Sequence, residues 1–313
     1  MKISLVLVLI LVLAAALCPF AAAPLSRLQT AFPAAAANGD VTVLHSGTGK
    51  RETLPLNDYL RGVLAAEADP QAEPEALQAL CVACRSYTLY RLNEGGLLSD
   101  DPAVFQGYRN DEQCRAAWGD AYESRMQRLR EALDAAGDET LLWRGAPILA
   151  AYHALSPGKT ESAAVVWGRD LPYLQSVNAD GDVLSPKAEQ TLTLHKDAFL
   201  EAAKKLRGTN LQTTKRAPVG KCVTTDSGFV KRIRIGDRAC SGAEVRDAFG
   251  LPSAFFTLKQ TGDDFTFTVR GVGHGVGMSL NSADFMARQG SSHEEILAHF
   301  YPGATLAGKE DDK

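Results

Sequence analysis

Glu67 closes the stretch PLNDYLRGVLAAEADP, residues 55–70. On a helix, Leu60, Val63, Leu64 and Glu67 stand at i, i+3, i+4 and i+7 and share one face. A carboxyl at the end of an apolar stripe is partly withdrawn from water. Desolvation disfavours its charged form and raises its pKa, which is what a general acid needs near neutral pH. The same spacing also suits a glutamate at a helix end that simply reaches solvent, and the pattern alone leaves both readings open.

Two further stretches carry chemistry-capable side chains. In AYHALSPGKTESAAVVWGRDLPYL (151–174), His153 ends a strand and Ser156, Lys159, Thr160 and Ser162 fill the loop after it, followed by Trp167 and Tyr173. Hydroxyls, a cation and aromatic rings in one loop suit a carbohydrate, because rings stack on sugar faces and hydroxyls bond sugar hydroxyls. A polar loop around a buried Trp is the plainer reading. In RGVGHGVGMSLNSADFMARQG (270–290), glycine recurs at every second position. If extended, Gly271, Gly273, Gly275 and Gly277 make a bare face, and Val272, His274, Val276 and Met278 make the other. A bare strip admits a second backbone or a flat ligand, and tight strand packing or a bulge is the alternative. The chain has no HExxH, no paired CxxC zinc spacing, no GxSxG elbow and no Walker A loop. A metal held by His153 and His274 is the weaker reading, since a lone His in an apolar strand is usually packed or hydrogen-bonded. No cofactor is expected.

The elements that must position these residues follow from punctuation and period. Short strands are expected near VTVLHS and KRETLPL. Asn57 is a plausible N-cap for a helix to Glu67. Asp69-Pro70 and Pro74 break the chain before a longer helix to about Leu92. A charged helix is expected from Asp111 to Ala136, ended by Gly137. Strands at TLLWRG and PILAAYHA turn at Gly145. A helix over His195–Leu206, several strands, and a short helix before Gly250 complete the pattern. The fold expected is α+β, a two-lobed extracytoplasmic domain of mixed helices and antiparallel strands over 41–305, with about 186–270 as a possible second lobe and 306–313 as a polar tail.

The 313 residues suffice for one large domain or two modest ones, and a net charge of −4 without a basic stripe argues against a nucleic-acid partner. Residues Ile3 to Ala23 form an uncharged apolar run about as long as a bilayer-spanning helix. Pro24 would follow an Ala21–Ala23 cleavage site, so a retained signal-anchor over 1–23 is favoured, with an Ala/Pro tether over 24–40. Leu17 before Cys18 fits a lipobox poorly. The expected location is the cell membrane, single-pass, with the remaining chain outside the cytoplasm. Cys81 and Cys84 fall on the helical stripe with Leu77 and Leu80 and read as small core residues. Cys222 and Cys240 lie in a strand-rich region whose compartment permits a disulfide, but sequence does not show that they face each other.

Three blocks together resemble the stage II sporulation protein D family of membrane-anchored lytic transglycosylases, and the resemblance runs from about Leu54 to Gly303. The first is PLNDYLRGVLAAEADPQAEPEALQALCVACRSYTLYRL. The second is RGAPILAAYHALSPGKTESAAVVWGRDLPYLQSV. The third is GVGHGVGMSLNSADFMARQGSSHEEILAHFYPG. The resemblance implies an enzyme that cleaves the MurNAc–GlcNAc bond of peptidoglycan glycan strands without water and leaves a 1,6-anhydro sugar. It carries the catalytic role over to Glu67. One carboxyl suffices there, protonating the leaving oxygen and then deprotonating the 6-hydroxyl, unlike the carboxylate pair of ordinary glycosidases. In this light Arg85, His153, Ser156, Thr160, Tyr173, His274, Gly275 and Ser279 become candidates for sugar binding or for orienting Glu67. The glycine strip becomes a place for close approach of a glycan, or of the strand carrying Glu67.

The family further implies thinning of septal peptidoglycan during forespore engulfment and a preference for strands stripped of stem peptides. It implies an amidase/endopeptidase partner and a membrane scaffold protein. Leu280, Ser282, Pro157 and Ala68 depart from the family's usual residues, which bears on substrate contacts and full activity, while Glu67 itself is intact. Some relatives bind zinc near the His153 loop, but that loop has no cysteine here, and no zinc site is carried over. The alternative function is a non-enzymatic wall-binding module, because the domain also resembles the amidase enhancer.

Overall fold

The computed structural model describes residues 39–308 apart from 103, 207 and 209–218. The expected anchor, Cys18, nearly all of the tether and the tail from residue 309 lie outside them. Among the described residues no helix is long and apolar enough to cross a membrane. Helices and strands are mixed, and the protein is α+β.

Strands β1 (Asp40–Leu44) and β2 (Arg51–Pro55) form an antiparallel pair, and β3 (Leu98–Ser99) joins β1 in parallel. Helix α1 (Leu56–Glu67) starts directly from β2, with Pro55 at its N-cap and no side-chain cap. Asn57 does not cap it; its Oδ1 accepts from Arg85 Nη2 at 2.7 Å instead. The apolar stripe is real: Leu56, Tyr59, Leu60, Val63 and Leu64 are all at most 1% exposed. At about 1.5–3 kcal/mol for each such side chain buried, this face fixes the rotation of α1 and so the direction in which Glu67 leaves its last turn. Helix α2 (Pro74–Asn93) begins with Pro at its first turn, where the missing N–H costs no bond, and is buried along most of its length. Cys81 and Cys84 are free thiols inside that buried surface.

The charged segment expected as one helix is broken. Helix α3 (Asp111–Trp118), capped by an Asn110–Gln113 capping box, ends at Gly119 with φ 51°, and α4 (Tyr122–Ala136) restarts after a 3-10 turn. Strands β4 (Thr140–Trp143), β5 (Ala146–Pro147) and β6 (Tyr152–His153) are shorter than expected, and α5 (Ala163–Trp167) follows the hydroxyl-rich loop.

The next segment encloses a hydrophobic core of its own. It comprises β7 (Glu189–His195), α6 (Lys196–Ala203), β8 (Val219–Thr224), β9 (Val230–Ile235), β10 (Arg238–Cys240), α7 (Gly242–Phe249), β11 (Phe255–Thr261) and β12 (Asp264–Arg270). Sheets β10-β9-β8 and β11-β12-β7 surround Phe199, Phe249, Phe265 and Phe267, with Phe199 stacked on Phe265 at 3.9 Å between centroids. Arg270, at the end of β12, pairs with Glu189, at the start of β7, so the segment enters and leaves at one place. Cys222 and Cys240 both lie opposite Ile233, one on each flanking strand. Two strand spacings, ~9–10 Å, separate them, beyond the reach of a disulfide, and no disulfide joins them.

The glycine segment is not an extended strand. Gly271, Gly273, Gly275 and Gly277 all have positive φ, between 73° and 106°. They lie against residues 151–156 and Phe255, not against α1. A Cβ on Gly277 would sit 1.9 Å from the Ala151 carbonyl oxygen, and one on Gly273 would sit 2.8 Å from the Cβ of His153. Every-second-residue spacing therefore marks a looped backbone pressed onto its neighbour, where side chains have neither space nor an allowed φ. The segment ends in β13 (Met278–Ser279), parallel to β6, followed by α8 (Leu280–Arg288), α9 (His293–Phe300) and β14 (Thr305–Ala307), which returns to β4. Buried His293 meets Glu75 through Nδ1 (3.1 Å) and Glu139 through Nε2 (2.8 Å), tying α9 to α2 and to the start of β4.

Candidate active site around Glu67

A cavity of about 390 Å³ is lined by Glu67 from α1, Tyr87 and Arg91 from α2, and Val104, Phe105 and Gln106 from the loop before α3. Leu149, Ala151 and Tyr152 line it from β6 and the residues before it, with Trp167 and Arg169 at the end of α5 and His274 from the glycine segment. Val104 and Trp167 are exposed, at 63% and 37%. Among the described residues Glu67 is the only carboxylic acid lining the cavity.

The loop before α3 holds Glu67 in place. Gly107 donates its N–H to Glu67 Oε1 at 2.5 Å. A Cβ at position 107 would lie 2.9 Å from that oxygen and 3.2 Å from the Ala66 Cβ, so a side chain there would push the carboxyl away from this N–H. Arg109 binds the same helix, through its N–H to the Gly62 carbonyl (3.0 Å) and through Nη1 to the Ala65 carbonyl (3.0 Å). Burial pushes the Glu67 carboxyl above the usual carboxylate range, while the Gly107 N–H and the Arg109 charge pull it back less strongly. Its place in the last turn of α1, at the negative end of the helix dipole, also disfavours the charged form.

His274 lines the cavity as a neutral ring. Nδ1 accepts from the Val276 N–H at 3.1 Å, and burial, with His153 and Arg246 nearby, holds its pKa down to about 3. Trp167 meets it edge-on, with centroids 5.1 Å apart. His153 is buried beneath, its centroid 5.8 Å from that of His274. It donates from Nδ1 to the Val276 carbonyl (3.2 Å), and burial holds its pKa down to about 4.

The structure thus brings Glu67 and His274 together, with Gly275 and His153 behind His274. The remaining candidates hold other parts of the protein. Arg85 is buried and donates to Asn57 and to the Gly137 carbonyl (2.8 Å). Thr160 bonds the 175–177 backbone, accepting from the Val177 N–H at 2.9 Å. Tyr173 accepts at its hydroxyl from the Leu149 N–H at 3.3 Å. Ser156 and Ser279 converge on buried Asp182, which accepts the Ser156 N–H (2.7 Å) and the Ser279 hydroxyl (2.8 Å). Ser282 and Asn281 donate to the same carboxylate at 3.0 and 3.2 Å. Ser282, a departure from the family pattern, thus has a structural partner.

The sequence reading missed Gln106, Gly107, Arg109, Tyr152 and Arg169. Tyr152 and Arg169 lay inside the quoted second block, but the 105–109 loop offered no signal, since its role depends on folding back some 40 positions onto α1.

A single desolvated carboxyl in a cavity with aromatic rings and guanidinium groups defines a candidate acid-catalysis site on an α+β scaffold. The chain belongs to the stage II sporulation protein D family. It is 32% identical over 276 residues to the stage II sporulation protein D of Bacillus subtilis (strain 168), covering 85% of this chain and 78% of that one. It is 32% identical over 275 residues to that of Bacillus amyloliquefaciens, with the same coverage. The family model described as Stage II sporulation protein matches residues 45–143, which include Glu67 and the loop that holds it. The chain is also 27% identical over 300 residues to the amidase enhancer of Bacillus subtilis (strain 168), covering 79% of this chain and 40% of that protein.

Proposed function

We propose that this protein is a peptidoglycan lytic transglycosylase and that Glu67 is its only acid–base group. Its substrate is the glycan strand, cut between MurNAc and GlcNAc. The observation that carries the reading is the isolation of Glu67: a carboxyl favoured in its protonated form, with no second carboxyl among the described residues of the cavity. The neutral acid gives its proton to the glycosidic oxygen as the C1–O bond breaks. The carboxylate so formed, held by the Gly107 N–H, takes the proton of the sugar's C6 hydroxyl, whose oxygen bonds to C1. Water supplies nothing, and Glu67 ends protonated as it began. The exposed Trp167 ring offers a face for sugar stacking, and Arg91 and Arg169 suit the free carboxylate of a peptide-stripped MurNAc.

In this proposal residues 3–23 anchor the chain in the cell membrane with the site outside the cytoplasm. There it thins septal peptidoglycan during engulfment beside an amidase/endopeptidase and a membrane scaffold protein. Membership of a sporulation family supports that setting. The amidase enhancer relative favours a second reading, a non-enzymatic wall-binding module that stimulates an amidase. Mass spectrometry of peptide-free glycan strands incubated with wild type and with Glu67→Ala separates the two. Anhydro-terminated fragments from wild type alone support the transglycosylase. Strand binding by both proteins, with no product from either, supports the enhancer.

A further inference from the structure

We propose that Gln106 is a positioning residue for Glu67: its side-chain amide, clamped between α2 and β6, sets the peptide unit that delivers the Gly107 N–H to the carboxyl. Gln106 is 4% exposed although Val104, two residues before it, is 63% exposed. Its Nε2 donates to Thr88 Oγ1 at 2.9 Å, and that hydroxyl donates to the Cys84 carbonyl of α2 at 2.8 Å. Its Oε1 accepts from the Tyr152 hydroxyl on β6 at 3.2 Å. Both ends of the amide are thus fixed by elements that do not move with the loop, and the next backbone N–H is the one on Glu67. A long irregular connection has no sheet or helix ladder to hold it, so side-chain anchors of this kind decide where its backbone donors point. The catalytic consequence rests on Glu67 being the acid; the placement itself does not.

The groups facing Glu67 make the effect measurable. Arg109 comes from the loop, Cys84 and Tyr87 from α2, and Tyr152 from β6, while Arg91, Arg169 and His274 line the same cavity. Burial raises the cysteine and both tyrosines, which stay uncharged where a carboxyl titrates, and His274, held down to about 3, gains charge only at the acid edge of that range. A change in the titration of Glu67 then reports its contact with Gly107.

The test follows the Glu67 Cδ signal by NMR in ¹³C-glutamate-labelled full chain, assigned by its loss in Glu67→Gln, as pH is varied. Removing a donor from a carboxylate favours its protonated form, so Gln106→Leu should raise the midpoint by about one pH unit. Thr88→Val should raise it by less, and Thr88→Ser should restore the wild-type value. Where cleavage is measured, the alkaline limb of kcat should move with the midpoint while KM stays nearly constant. A wild-type midpoint in folded Gln106→Leu overturns the proposal. Should Gln106→Leu not fold, a wild-type midpoint in Thr88→Val does the same. Absence of any glycan cleavage by wild type would remove the acid role of Glu67 but leave this titration to decide the placement.

Discussion

Asp182 and Glu67 are both withdrawn from bulk water, yet their surroundings differ in kind. Asp182 is wholly buried and takes hydrogen bonds from Ser156, Ser279, Asn281 and Ser282, so its lone pairs are committed to joining its own 3-10 turn (Asp180–Leu184), the loop after β6 and the start of α8. Glu67 takes the single Gly107 bond and otherwise faces a cavity. A buried carboxylate whose oxygens are engaged by several donors acts as a structural knot; one given a single donor and a desolvating wall keeps an oxygen open to the cavity, and burial shifts it toward its protonated form. Side chains with the same chemistry thus become structure in one place and a candidate for chemistry in the other, and the number of converging donors separates them.

Four experiments break or sharpen that contrast. Glu67→Gln should lower kcat/KM for glycan cleavage by at least about 10³-fold, within the range general acid–base groups supply, while the urea midpoint stays at or above wild type. Asp182→Asn should do the reverse. It turns an acceptor into a donor among donors and should destabilise the fold by about 2–4 kcal/mol in urea unfolding, with activity per folded molecule within tenfold of wild type. Loss of activity without loss of stability in Asp182→Asn would erase the distinction.

The third experiment is the pH dependence of stability. The folded-state pKa of Glu67 is raised, chiefly by burial, so ionising it costs folding free energy. The stability of wild type relative to Glu67→Gln should be fully present below the unfolded-state carboxyl pKa. It should decline as pH rises through the raised folded-state pKa, and an opposite slope would mean that Glu67 is held as an ion. The smallest effect is expected at Arg169. It is exposed and bonded to the Tyr90 hydroxyl at 2.8 Å, so Arg169→Gln should weaken binding of a carboxylate-bearing saccharide about threefold and leave a neutral chitooligosaccharide unaffected.

How much of this was legible in sequence depended on whether a signal was local. Glu67 was legible because Leu60, Val63 and Leu64 announce the buried face it extends. The α+β pattern was legible from period and punctuation, except where Gly119 divides the charged helix. Hydroxyls gave an ambiguous signal: Ser156, Thr160 and Ser279 have the chemistry to bind sugar, and only the fold reveals that the Gly158 N–H, the 175–177 backbone and Asp182, respectively, already use them. Asn57 read as a cap for the same reason, since its partner Arg85 lies on another helix. The glycine strip gave the right inference of close approach and the wrong backbone, because a period of two does not report the sign of φ. Gly107 and Gln106 carried no local mark, their partners being distant in the chain.

The most direct test of the central claim is to digest peptide-free glycan strands with wild-type protein in H₂¹⁸O and weigh the new ends. A single carboxyl that closes the ring with the sugar's own C6 hydroxyl predicts 1,6-anhydroMurNAc ends free of ¹⁸O. Reducing ends carrying ¹⁸O would show that water attacks C1 and would contradict the account.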